Sequence, residues 1–200
     1  MPIDRLDEST GSGGASGAKR AKAIHALTLA FVRDPVMRWL FPTPEAYLTH
    51  FPRFAAAFGG PAFGAGTAWL YGDGSGAALW LPSGVHPDGD AIATVVLGAI
   101  EPAKHEAAGA LMQQMAEYHP EEPHWYLAIL GVDAARQGQG QGAALMREAL
   151  ARCDEEGRMA YLESSNPANV SFYQRHGFEI VGEIQAGDAP VSLPMRRPAR

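Results

Sequence analysis

Glycines at 138, 140 and 142 stand between an apolar run that ends at Val132 and an amphipathic stretch that begins near Ala143. An apolar run, a glycine-rich turn, then Leu145, Met146, Ala149, Leu150 and Cys153 at core spacing predict a strand, a loop and a helix packed on a sheet. A second strand-like run at 158–163 follows, so the unit reads strand, helix, strand, with the two strands parallel and joined by a right-handed crossover. That unit alone restricts the chain to an α/β (α+β) class with a mixed central sheet. Glycines ahead of a helix leave backbone amides unshielded where the helix dipole is positive, which favours an anion such as a pyrophosphate. On spacing alone, a plain surface turn accounts for the same glycines.

The rest of the chain supplies the other layers. Small residues at 8–18 predict a flexible N-terminal segment at 1–18, after a short first strand, with one folded domain over 19–200. Ala23, Ile24, Leu27, Ala30 and Phe31 predict a first helix that stops at Asp34-Pro35, because the residue before proline avoids the α region. A second helix is expected over 44–58, as a lid or substrate-side element. Runs at 66–71 and 76–81, joined by Gly72-Asp73-Gly74-Ser75, predict an antiparallel hairpin. Residues 90–118 read as one or two helices with a break at Glu101-Pro102. After the crossover unit come a short helix at 167–175, a last strand at 178–184, and a basic end at 196–200 expected to be a solvated tail.

Composition removes whole classes of function. A net charge of −6 and a pI near 5.6 lack the basic footprint of a nucleic-acid binder. A single cysteine, Cys153, permits no internal disulfide or cysteine-based zinc site and suits a reducing, cytoplasmic setting. No His pair has metal-ligand spacing on a helix, so no metal is expected. No apolar stretch reaches membrane-spanning length and the first residues carry no signal-like apolar run, so no membrane partner is expected.

Three phosphate-binding patterns compete for the glycine loop. A nucleoside triphosphate loop ends in Gly-Lys-Ser/Thr, whereas Gly142 is followed by Ala143 and Ala144. A dinucleotide fingerprint is met by Gly138, Gly140 and Ala143, with Glu163 as an acidic residue on the next strand. Against it, the five residues 133–137 separate Val132 from the first of those glycines, and too little chain follows for a second half.

The third pattern is a family resemblance. Gln137-Gly138-Gln139-Gly140-Gln141-Gly142 resembles the acyl-CoA pyrophosphate loop of the GNAT family of N-acetyltransferases. Downstream, Asn166 and Tyr173, seven apart and followed by His176-Gly177-Phe178, resemble that family's Asn…Tyr-x-x-x-Gly-Phe segment. The likeness covers about 125–184, and its details are most similar to the small-molecule branch of the puromycin N-acetyltransferase type.

The resemblance implies acetyl-CoA as co-substrate and a primary amine of a small molecule as acceptor. It implies an acyl-CoA cleft between splayed parallel strands, with the pantetheine arm beside Leu130 and Val132. Residues Gln137, Gly138, Gln139, Gly140, Gly142 and Ala143 would meet the pyrophosphate, and Asn166 would bond a CoA amide or cap the helix after it. Tyr173 would protonate the departing thiolate, for which an ordinary tyrosine pKa near 10 is suited. Glu163 is the first candidate for the base that deprotonates the amine, with His119 and His124 as others. Acceptor-side aromatic surface is expected from Phe31, Trp39, Phe41, Tyr47, Phe51, Phe54, Trp80 and Trp125. A CoA-binding regulatory module without catalysis and a dinucleotide-dependent oxidoreductase remain as alternatives, and the oligomeric state is open, a homodimer included.

Overall fold

Strand β1 (Ile3–Leu6) pairs antiparallel with β2 (Ala68–Tyr71), and β2 pairs with β3 (Gly76–Leu81) across the glycine turn. The computed structural model describes residues 2–6 and 13–200. β3 pairs antiparallel with β4 (His124–Val132), β4 runs parallel to β5 (Met159–Ser164), and β5 pairs antiparallel with β7 (Leu193–Arg197), which carries β6 (Glu179–Ile180) at the edge. The order is therefore β1-β2-β3-β4-β5-β7-β6. Mixed pairing around β4 and β5 agrees with the expected class.

One face of the sheet is covered by α1 (Gly13–Ala30), α2 (Pro35–Leu40), α3 (Pro44–Phe58), α5 (Gly89–Ala99) and α6 (His105–Tyr118). A short α4 (Pro61–Gly64) precedes β2. The other face is covered by α7 (Gln141–Glu155) and the short α8 (Val170–Gln174). Alternation along the strands explains the two cores. Leu79 and Leu81 point into the first, whereas Ala78 and Trp80 point into the second. The aromatic stripe of α3, Tyr47, Phe51 and Phe54, is buried in the first core, at about 1.5–3 kcal/mol of transfer free energy for each such side chain.

β4 is bent where it leaves β5. Trp80 faces Leu127 and Leu79 faces Ile129, so Ala128 is an extra residue in the ladder, a β-bulge. The bulge sets Ala128 and Ile129 both toward the first core and moves Leu130 and Val132 toward the second. Beyond it, α1 lies close on the strand: a Cβ at Gly131 would stand 2.6 Å from the Cβ of Ala30. Glycine there admits the helix.

Several boundaries differ from those expected. α1 begins at Gly13, so residues 13–18 of the expected N-terminal segment lie in a helix; residues 7–12 lie outside the described residues. Proline stops α1 as expected but also opens α2, because Asp34 accepts from the amide of Met37 as an N-cap and Pro35 occupies the first turn. The last strand is only Glu179–Ile180, with an isolated bridge at Ile184. The basic end is not wholly solvated: Arg197 is 2% exposed in β7, pairs through both guanidinium ends with Asp154 at 2.7 and 2.9 Å, and donates to the carbonyl of His176. Asp154→Ala strands that cation away from water, so we expect a loss of about 3 kcal/mol in a urea unfolding series. An unchanged midpoint would contradict the buried pairing.

Candidate functional site

β4 and β5 pair only over His124–Tyr126 and Met159–Tyr161. β4 continues to Val132 against β3, and β5 continues to Ser164 against β7, yet their facing edges no longer meet. Unpaired strand edges in a sheet interior need a partner, and a cavity of about 670 Å³ opens beside them. Leu130, Val132, Gln137, Gly138, Gly140, Gly142, Ala143, Asn166 and Tyr173 line it. Gln139 does not.

The loop's shape follows from its glycines. Gly138 and Gly140 have φ of 76° and 78°, so an L side chain there would be strained. Gly142 has no such φ, and a Cβ on it would meet Phe172 at an ordinary 3.6 Å. Asp133 caps the turn Ala134–Arg136, and the Gln137 side-chain Nε2 donates to the carbonyl of Val132 at 3.1 Å, which closes the loop on the end of β4. The first helical bond of α7 runs from Ala144 to Gly140, and Gly140 offers no side-chain cap. The amides of Gln141, Gly142 and Ala143 thus have no intrahelical acceptor at the positive end of α7. Arg33, Arg136 and Arg175 also line this cavity, a cationic rim absent from the sequence reading. Gln141 is structural: its side chain is buried and accepts from the Ser75 hydroxyl at 2.7 Å, fastening α7 to the β2–β3 turn.

A second cavity of about 620 Å³ opens on the helical face of the sheet, between α2, α3, α5, α6 and the strands β4 and β5. Phe31, Leu130, Asn169 and Tyr173 line both cavities. Tyr173 therefore stands at their junction. It is 8% exposed, its ring packs edge-on to Phe172 and Phe178, and burial, with the charge of Asp34, raises its pKa above the ordinary tyrosine value. Asp34, itself buried, accepts from the Ser165 hydroxyl at 2.6 Å and so ties the α1–α2 junction to the segment after β5. Burial also raises the Asp34 pKa.

Glu163 lies in the wall of the second cavity. The Tyr126 hydroxyl donates to its Oε2 at 2.7 Å, while Oε1 is buried without a hydrogen-bond partner among the described residues. Burial drives its pKa up to about 7 against the opposing pull of Tyr126. His119 lines the same cavity and lies 3.1 Å, Nε2 to Nε2, from His124, whose Nδ1 contacts the Glu122 carbonyl oxygen. Burial, then His124 and His86, lower the His119 pKa to about 4, so it is neutral at physiological pH. His124 does not line the cavity.

Asn166 accepts from the Ala168 amide, capping the turn Pro167–Asn169, and still lines the first cavity, so both of its expected roles are compatible. The aromatic list is corrected. Phe31, Phe51 and Phe54 face the second cavity, but Trp80 and Trp125 are buried in the opposite core, where Trp125 donates to Glu156. Strand alternation puts them there. Tyr126, Ser165 and Asp34 were not singled out from sequence; only Asp34 had a legible signal, an Asp directly before a proline at a helix start. Among the described residues no cluster of three or more His, Cys, Asp or Glu is placed to hold a metal ion, and no helix is long and apolar enough to cross a membrane.

The chain is 41% identical over 54 residues to an uncharacterized N-acetyltransferase of Schizosaccharomyces pombe, and 44% identical over 61 residues to the mycothiol acetyltransferase of Mycolicibacterium gilvum. Those matches cover 27% and 26% of this chain, and it spans only about a fifth of each relative, 22% and 20%. In structure it resembles a histone acetyltransferase HPA2 and related acetyltransferase from Corynebacterium glutamicum, with a TM-score of 0.63, 23% identity and 92% of both chains covered. That likeness speaks to the fold. The sequence profile of the acetyltransferase (GNAT) family matches residues 52–178, more than half of the chain, and includes the bulged strand, the glycine loop and the Tyr173 segment; the chain belongs to that family.

Proposed function

We propose that the protein transfers an acetyl group from acetyl-CoA to the primary amine of a small molecule by direct attack. The observation that carries this reading is the meeting of two cavities at Tyr173, one flanked by unpaired strand edge and free helix amides, the other holding the Glu163 carboxylate. The first cavity suits a long anionic thioester. Unpaired amides and carbonyls along 127–132 can bond a pantetheine arm as an added strand. The amides of Gln141, Gly142 and Ala143, with Arg33, Arg136 and Arg175, answer a diphosphate. The Asn166 side-chain NH2 is free to donate to a pantetheine carbonyl.

Acetyl-CoA, when bound, supplies an acyl carbon activated by its thioester. Glu163, as carboxylate, takes the proton from the incoming amine, directly or through water, so that nitrogen attacks with its lone pair. Amides of the splayed strand stabilise the oxyanion as the tetrahedral centre forms. Tyr173 gives its phenolic proton to the sulfur as the carbon–sulfur bond breaks.

Thiol release measured against a panel of primary amines, paired with calorimetric titration of CoA, tests the reading. Saturable release with at least one amine is the expected result. No CoA binding at about 1 mM, a threshold near −4 kcal/mol, would overturn the cofactor assignment. CoA binding without turnover on any amine would instead support a catalytically silent module. The glycine loop has its own test: Gly142→Val fits the backbone, so the melting temperature should hold while the CoA dissociation constant rises at least tenfold. Equal affinity would remove the close approach at Gly142.

A further inference from the structure

We infer that the second cavity takes a primary amine carried on an apolar aryl or branched-alkyl body with no second charge, a reading that rests on the acetyl transfer proposed above. A volume of about 620 Å³ is that of a small-molecule site, and its walls are mostly hydrocarbon, aromatic ring and thioether. Phe51, Phe54 and Phe58 of α3 form one side, and Met37, Met112 and Met115 of α2 and α6 form another. Aromatic faces match a flat ring by stacking, and unbranched thioethers adapt to rings of different outline.

The polar complement of the cavity is what excludes other amines. Glu121 and Glu163 are the carboxylates among its lining residues, and Glu121 is exposed at the rim. One carboxylate inside serves one amine. A polyamine or an aminoglycoside would bring further ammonium groups against Phe, Met and Leu, and an unpaired buried charge costs several kcal/mol. A peptide N-terminus would bury amide groups along its chain, and with the free edge of β4 taken by the pantetheine arm the few polar side chains of the wall, Ser165, Asn169 and Ser192 among them, are too sparse to partner each of them. No lysine or arginine lines the cavity, so an acidic acceptor has no counter-ion either.

The test compares 2-phenylethylamine and tryptamine with spermidine, kanamycin and a free tripeptide, following thiol release with saturating acetyl-CoA, and measures amine binding to the CoA complex by calorimetry. We expect kcat/KM for the aryl amines to exceed that for the others by at least 100-fold. A polyamine, aminoglycoside or peptide used as well as the aryl amines would overturn the class while leaving acetyl transfer intact. Aryl amines that bind while no amine is acetylated would support the class and overturn the transfer; CoA binding with neither aryl-amine binding nor turnover of any amine would overturn both. Met112→Asp, at a lining position already 41% exposed, adds a carboxylate without disturbing the core. It should lower kcat/KM for 2-phenylethylamine about tenfold and raise it for 1,5-diaminopentane. An unaltered ratio of the two substrates would count against the charge argument.

Discussion

Tyr173→Phe is expected to cut kcat by roughly 10²–10⁴-fold, the range for loss of a positioned general acid, with the acetyl-CoA dissociation constant nearly unchanged. The phenyl ring keeps the edge-on contacts with Phe172 and Phe178, so the wall of both cavities survives and only the hydroxyl is lost. Without a donor at the junction, the sulfur must leave as an anion in a largely apolar cleft. Burial and Asp34 both raise the Tyr173 pKa, so the donor remains protonated above its ordinary range, and wild-type activity should show no alkaline decline from this residue near pH 10. Single-turnover thiol release separates the outcomes. A variant that releases thiol at the wild-type rate would remove Tyr173 from the protonation step.

The second large effect is expected at Glu163, where activity and stability should move in opposite directions. As base, Glu163 must be a carboxylate, so kcat/KM should rise through an acid limb near pH 7, and Glu163→Gln should abolish that limb and lower the plateau by about 10²–10⁴-fold. The stability consequence has the opposite sign. The folded protein holds this proton up to about pH 7, whereas the unfolded chain releases it near 4.5. Any stability carried by the group is therefore present below pH 4.5 and lost as pH rises through 7. A rise from 4.5 to about 7 corresponds to on the order of 3 kcal/mol, which the amide variant escapes. Thermal melts at pH 5.5 and 8.5 should show Glu163→Gln gaining on the wild type at the higher pH. A difference between the two proteins that is the same at both pH values would mean that Glu163 titrates in the folded protein as it does in the unfolded chain, and would withdraw the acid limb near pH 7.

Such a trade between activity and stability is expected where a charge is held in an apolar site. Asp34 is a second buried carboxylate, which caps α2 and accepts from the Ser165 hydroxyl.

Local signals were enough for much of the outcome. The 3.6-residue pattern placed α3 with its observed bounds, and the glycine turn at 72–75 placed the hairpin. The residues of the glycine loop, Gln139 apart, line one cavity. Other features had no local signal. Arginine is ordinarily solvated, so the sequence places Arg196 and Arg197 in a charged tail; Asp154, 43 positions away, and the His176 carbonyl make burial of Arg197 in β7 tolerable. Trp80 and Trp125 resembled binding-site aromatics until strand alternation sent them to the far core.

By itself the sequence determined the element types, the mixed class of the sheet and the glycine loop that leaves free amides at the start of α7, because these depend on periodicity and on the backbone freedom of glycine. The tertiary structure alone decided where β4 parts from β5, that Glu163 is buried, and that the second cavity is walled mostly by hydrocarbon. Those properties arise from side chains far apart along the chain, brought together by a bulge at Ala128 and by helix packing, and no short stretch of residues encodes them.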